Sequence, residues 1–233
     1  MDENAGEQRI DLDDLSRKLH AGTIADVLDG KGFWGVLPSQ VVGKANTRPV
    51  LGKACTVRWA PLRKPSSIMA PQGSTWDAVA DFLLPNIEDG TGRIYVAGVE
   101  DGLLTEYALA GGFSCGHFQR IGFEAMVLGG AVRDAHAVEL LTIPVWATNY
   151  APADTQGNYQ VKETGTWCRI GNVTVNEGDW IFADQTGIIC IPSALFSEVI
   201  SLCLAVESTE QEIERRVAAG ERLYDIVKSL GRL

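Results

Sequence analysis

The hydrophobic pattern changes period several times along the chain. Leu12, Leu15 and Leu19 recur at helical spacing and predict a helix over residues 11–20. A second helix is expected to run to Gly30, with Thr23 placed to cap it. Strands are predicted at residues 54–60 and 93–98, separated by a helix over about residues 75–84. Residues 103–110 and 113–121 read as helices, and residues 125–128 and 145–148 as strands. A hairpin over residues 180–191 turns through Asp184-Gln185-Thr186-Gly187. Pro192-Ser193 then opens a long helix to residue 219, carrying Leu195, Val199, Leu202, Val206 and Ile213. Helices and strands alternate without a linker, repeat or low-complexity tract, which predicts one α/β domain over residues 1–233.

Composition narrows the class. With 233 residues and 45% hydrophobic content, the chain can bury a large core. No stretch reads as a membrane span, and the opening MDENAGEQRIDLDDL is too acidic and polar for a signal peptide. The five cysteines (Cys55, Cys115, Cys168, Cys190, Cys203) are odd in number, scattered and without a CxxC pair. That pattern predicts buried free thiols in a reducing, cytoplasmic setting rather than a disulfide frame or zinc site. A net charge of −10 with no basic run longer than two residues argues against nucleic-acid binding. The six tryptophans read as core or interface anchors.

One stretch carries chemistry. The run Glu124-Ala125-Met126-Val127-Leu128 breaks into Gly129-Gly130-Ala131-Val132-Arg133-Asp134. Glycines at a strand end allow a sharp turn and close approach of a ligand. Arg133 can grip a carboxylate with two hydrogen bonds, and Asp134 can hold a hard divalent cation. The same hexamer is also compatible with a plain strand–turn–helix corner bearing a surface ion pair and a cap.

The surroundings add to it. Upstream stand Gly111-Gly112-Phe113-Ser114, the opening Gly22-Thr23-Ile24-Ala25-Asp26-Val27-Leu28-Asp29-Gly30 with Leu37-Pro38, and Gly52-Lys53-Ala54-Cys55-Thr56-Val57-Arg58. Downstream stand Val161-Lys162-Glu163, the hairpin segment from Gly178 to Ile189, and Ala218-Ala219-Gly220-Glu221 with Asp225-Ile226. In this order the segments resemble the metal-dependent pyruvate-type aldolases that cleave 4-hydroxy-4-methyl-2-oxoglutarate and related 2-oxo acids. That family also includes the non-enzymatic regulator of ribonuclease activity A, and is called RraA-like. Its signature is a Gly, three residues, an Asp, twenty residues and Arg-Asp; here the spacing is kept, with Ala108 and Gly112 in the two upstream places.

The resemblance implies a layered, swivelling β/α domain like that of phosphohistidine domains, with N- and C-terminal helices. It implies a divalent-metal-dependent lyase acting on a small anionic 2-oxo acid, by retro-aldol cleavage or decarboxylation; the alternative is a non-catalytic binding or regulatory protein. Breaking the C–C bond leaves a pyruvate enolate, which a divalent Lewis acid can stabilise. Asp134 would hold Mg²⁺ or Mn²⁺, and Arg133 would bind substrate oxygens and offset enolate charge. The amides of Gly112, Phe113 and Ser114, opening a helix, would receive the substrate carboxylate. Glu210 falls on the glutamate that the aldolases contribute from a neighbouring subunit, which implies a homotrimer or a hexamer. The family's upstream aspartate orients the water that shuttles protons. A glycine cannot do this, and Glu106, then Asp101 and His117, are the candidate replacements.

Overall fold

Four parallel strands form the centre of the molecule, and a separate pair of parallel strands carries the chemistry-bearing turns. The computed structural model describes residues 11–63 and 75–230. Residues 1–10, which include most of the acidic opening, lie outside the described residues. Helices α1 (Leu12–Arg17) and α2 (Ala21–Gly30) precede strands β1 (Val42–Ala45) and β2 (Val50–Pro61). Strands β3 (Arg93–Val99) and β4 (Leu104–Ala110) lead into α3 (Gly112–Arg120). Strands β5 (Ala125–Leu128) and β6 (Gly130–Val132) lead into α4 (Ala135–Glu139). There follow β7 (Val145–Ala147), β8 (Tyr159–Thr164), β9 (Trp167–Ile170), β10 (Val173–Asn176), β11 (Trp180–Ala183) and β12 (Ile188–Ile191). Helices α5 (Phe196–Ala218) and α6 (Leu223–Leu230) complete the described chain.

The large sheet runs β1-β7-β5-β3-β2-β11-β12, with β8 also on β2, and β9 joining β3 to β10. Strands β7, β5, β3 and β2 are mutually parallel, while β1 and the β11–β12 hairpin flank them antiparallel. Strands buried on both faces run almost continuously apolar, which is why β2, β3, β5 and β7 were readable as strands. One face packs Trp59, Tyr95, Phe118 and Phe123; the other packs Val96, Trp146, Ile170 and Ile181. Helices α2 and α5 seal Leu51, Phe182 and Ile191 on the hairpin side. All five cysteines are free and buried, as expected. No helix among the described residues is long and apolar enough to cross a membrane.

Four local expectations are corrected. Residues 103–110 form strand β4 rather than a helix, because the segment pairs with β6 in parallel, Ala108 opposite Ala131 and Ala110 opposite Val132. Tertiary pairing here overrides the helix propensity of Leu, Glu and Ala. Residues 75–84 form only turns and a 3-10 turn at Ala80–Leu83. Pro85 follows Leu84, and a proline disfavours helical geometry in the residue before it; Leu84 sits at a φ of 52°. Thr23 does not cap α2; its hydroxyl donates to buried Glu207 at 3.0 Å, and the amide of Ala21 is received by Asp184 at 2.9 Å. Gly130 lies within β6, not at a ligand-facing turn: a Cβ there would sit 2.5 Å from the Leu104 carbonyl oxygen.

Candidate active site

Register builds the site. Because Ala110 lies opposite Val132 in the parallel β4–β6 pair, both strands end side by side. Each then turns into a helix, β4 through Gly111 into α3, and β6 through Arg133-Asp134 into α4. The Arg133 amide donates to the Ala110 carbonyl at 3.0 Å, locking the two turns together. Crevices beyond the carboxyl ends of parallel strands are where such sheets bind ligands.

Asp134 stands at the head of α4 with a φ of 59°, a left-handed conformation that non-glycine residues rarely adopt. Such strain persists where surrounding structure holds it, and it clusters at functional sites. The turn aims the Asp134 carboxylate across at α3, where its Oδ2 accepts the Gly112 amide at 2.9 Å. Arg133 Nε lies 3.7 Å from the same oxygen, and Arg133 Nη1 donates to Asp154 Oδ2 at 3.1 Å. Gly111 is required by this closeness, since a Cβ there would meet Asp134 Oδ2 at 2.7 Å and Arg133 Cγ at 2.9 Å.

The first amides of an α-helix have no partner within the helix. In α3 the Gly112 amide is taken by Asp134, whereas Ser114 Oγ turns back to accept the Gly111 amide at 2.9 Å. Phe113 and Ser114 thus present their own amides at the helix's positive end, suited to an anion. A cavity of about 360 Å³ opens in front of them, with Arg133, Asp134, Asp154 and His117 on its wall. Beneath it Cys115 is buried, and burial, aided by the Asp134 charge, pushes its thiol up to about 12. Cys115 is therefore a packed neutral group rather than a nucleophile.

The structure sorts the remaining candidates. His117 lines the cavity and accepts Arg120 Nη2 on Nδ1 at 3.1 Å, which leaves its proton on Nε2. Glu106 is exposed on β4 and Asp101 is exposed in the β3–β4 turn, and neither is among the residues lining this cavity, whereas His117 is. Glu210 lies in a groove between α2 and α5 with Asp26 and Thr209, and shares no cavity with Asp134 within one chain. Asp154 was missed by sequence reasoning. It sits in an irregular loop that bridges to the strand pair at Ala108–Asp154 and Val132–Tyr150, and no spacing rule announces it.

The family model described as Aldolase/RraA, RraA-like, matches residues 22–190. The chain belongs to the RraA-like family. Over 206 residues it is 29% identical to protein DlpA of Legionella pneumophila, covering 88% of this chain and 31% of that protein. The chain thus spans under a third of that relative's length. Over 109 residues it is 31% identical to a Stutzerimonas stutzeri protein named "Putative 4-hydroxy-4-methyl-2-oxoglutarate aldolase", covering 46% of this chain and 64% of that one. In fold it is similar to Streptomyces coelicolor RraAS2, described as an unusual member of the RNase ES inhibitor RraA protein family. The TM-score is 0.70 at 23% identity, covering 87% of this chain and 98% of that one.

Gly112, the position matched to the upstream signature aspartate, is tightly packed. A Cβ built on Gly112 would lie 2.6 Å from Ala137 Cβ on α4. A side chain at position 112 would require helices α3 and α4 to shift apart.

Proposed function

We propose that this RraA-like chain is a divalent-metal-dependent carbon–carbon lyase acting on a small 2-oxo acid, by retro-aldol cleavage or decarboxylation. The observation that carries this reading is the convergence of Arg133, Asp134 and the amide-bearing end of α3 on one cavity. The donor set fits a hard cation. Its carboxylates are Asp134 and Asp154, and no group of three or more His, Cys, Asp or Glu among the described residues is placed to hold a metal. Mg²⁺ and Mn²⁺ suit such a site, since they accept one or two carboxylates and keep several waters. Asp134 would hold the ion, which when bound supplies Lewis-acid charge to the carbonyl oxygen of the substrate.

The protein's own groups do the rest. The amides of Phe113 and Ser114 receive the substrate carboxylate, and Arg133 orients the 2-oxo oxygen and offsets charge that develops there. In retro-aldol cleavage the hydroxyl proton passes to a water in the open cavity, the C3–C4 bond breaks, and its electron pair forms pyruvate enolate. C3 then takes a proton, giving pyruvate and a carbonyl product with no oxidant required. His117 lines the cavity, where its imidazole can orient the water that returns this proton to C3. Glu210, in a groove separate from Asp134 within one chain, would act from a neighbouring copy in the homotrimer or hexamer that the family resemblance implies.

A panel of 4-hydroxy-2-oxo acids together with oxaloacetate, assayed for pyruvate release with Mg²⁺ or Mn²⁺ and with chelator, tests the reading. Turnover lost on chelation and restored by metal is the expected result. Turnover that survives complete chelation overturns the metal's role. No turnover of any member favours the binding or regulatory reading, for which the missing carboxylate at Gly112 is the structural argument.

A further inference from the structure

The cavity extends well past the groups that would hold a 2-oxo acid head. At about 360 Å³ it falls in the range that encloses drug-sized ligands, far more than a three-carbon acid fills. Beyond Arg133 and Asp134 its wall is built from Trp59, Val79, Phe82, Leu83 and Leu109. The Trp59 and Phe82 rings lie 5.8 Å apart, centre to centre, and Trp59 is almost fully buried.

Charge is distributed unevenly over this wall. Among the described residues, Arg133 is the one side chain of permanent positive charge lining the cavity, against the two carboxylates of Asp134 and Asp154. Arg133 is flanked by Asp154 at 3.1 Å and Asp134 at 3.7 Å, and in the lyase reading it serves the substrate head. A second carboxylate on the substrate would therefore enter an apolar pocket without a cation to meet it, which is costly. What the far wall does offer is neutral. Trp59 Nε1 is buried and has no hydrogen-bond partner among the described residues, and an indole N–H can only donate. Among the described residues, it is the one buried polar atom without a partner that belongs to a cavity-lining residue.

We propose that this site takes 2-oxo acids with a single carboxylate and an uncharged, aromatic or branched apolar tail, in preference to dicarboxylic 2-oxo acids. The proposal rests on the lyase reading for the position of the substrate head. The tail lies against Trp59, Phe82 and Leu83.

Two measurements test it. Calorimetric titration of the native protein in Mg²⁺ with phenylpyruvate and with 2-oxoglutarate should show phenylpyruvate tighter by about ten-fold or more, the discrimination a pocket wall provides. The kcat/KM for pyruvate release from 4-hydroxy-2-oxo-4-phenylbutanoate should likewise exceed that from 4-hydroxy-2-oxoglutarate. Leu83→Lys supplies the missing cation at a partly exposed wall position, and should narrow or reverse both preferences. Tighter binding of 2-oxoglutarate by the native protein overturns the proposal. So does equal binding of the two ligands, whether or not the variant folds. Turnover that favours 4-hydroxy-2-oxoglutarate overturns the substrate class while leaving the lyase reading intact. Selective binding of phenylpyruvate without turnover of either substrate does the reverse, overturning the lyase and sustaining the ligand class.

Discussion

Replacing Gly112 by aspartate restores the signature carboxylate but collides with the packing of α4. The new Cβ would sit 2.6 Å from Ala137 Cβ and 3.3 Å from Asp134 Cβ. Carbon atoms prefer separations of about 3.5–4.0 Å, so the helices must part by roughly 1 Å. Overpacking of this kind costs about 1–3 kcal/mol. The added charge also faces Asp134, whose Oδ2 lies 3.7 Å from that Cβ. Like charges about 4 Å apart repel by ~1 kcal/mol in water and more near a protein surface. A carboxylate in a helix's first turn returns about 0.3–1 kcal/mol. The balance is a loss of about 1–3 kcal/mol, or a melting temperature lower by roughly 2–4 °C for each of those kcal/mol. Thermal unfolding of Gly112→Asp, Ala137→Gly and the double variant should show the pair coupled: the double variant recovers stability that additivity forbids. Only the double variant should then gain metal-dependent cleavage of a 4-hydroxy-2-oxo acid, within the ~10²–10⁴-fold that acid–base assistance supplies. A single Gly112→Asp variant as stable as the parent, or strictly additive effects, would refute the packing argument.

Three further outcomes are expected. Burial pushes the thiols of Cys55, Cys115 and Cys203 up to about 11, about 12 and about 12, so the folded state holds protons that the unfolded state releases. Stability should be fully present below the ordinary thiol value of about 8.5 and fall as pH rises through the folded values; native protein should resist thiol reagents that label all five cysteines in denaturant. Asp184→Ala removes the acceptor for the amides of Ala21, Thr186 and Gly187 and should cost about 1–3 kcal/mol in chemical denaturation, whereas Thr23→Val should spare the start of α2. If Glu210 serves a neighbour, an inactive Glu210→Ala protein mixed and reassembled with an inactive Asp134→Ala protein should regain activity; sedimentation as a fully active monomer would exclude the shared site.

The parallel core strands were legible because burial on both faces leaves continuous apolar runs, as in Ala125-Met126-Val127-Leu128. The strand nature of residues 104–110 was not, since Thr105 and Glu106 face outward and only pairing with β6 selects the extended form. Arg133 and Asp134 were visible because adjacent residues after a strand share a turn. Asp154 was hidden because its approach depends on a loop folding back over β4, twenty-one residues from Arg133. Sequence proximity placed Glu106 above His117, yet on a strand followed by a helix turn it is the helix residue that reaches the cavity wall. The steric meaning of Gly112 lay in Ala137, a residue whose position only the packing of α3 on α4 reveals.

The central claim is that Asp134 holds a divalent cation against a 2-oxo acid whose carboxylate docks on α3. Calorimetric titration of Mg²⁺ into native protein and into Asp134→Ala, paired with metal-dependent pyruvate release by both, tests it most directly. Asp134→Ala should lose Mg²⁺ binding and lower turnover by ~10²-fold or more while remaining folded, since the carboxylate is nearly half exposed. Undiminished Mg²⁺ binding and native turnover in Asp134→Ala would contradict it.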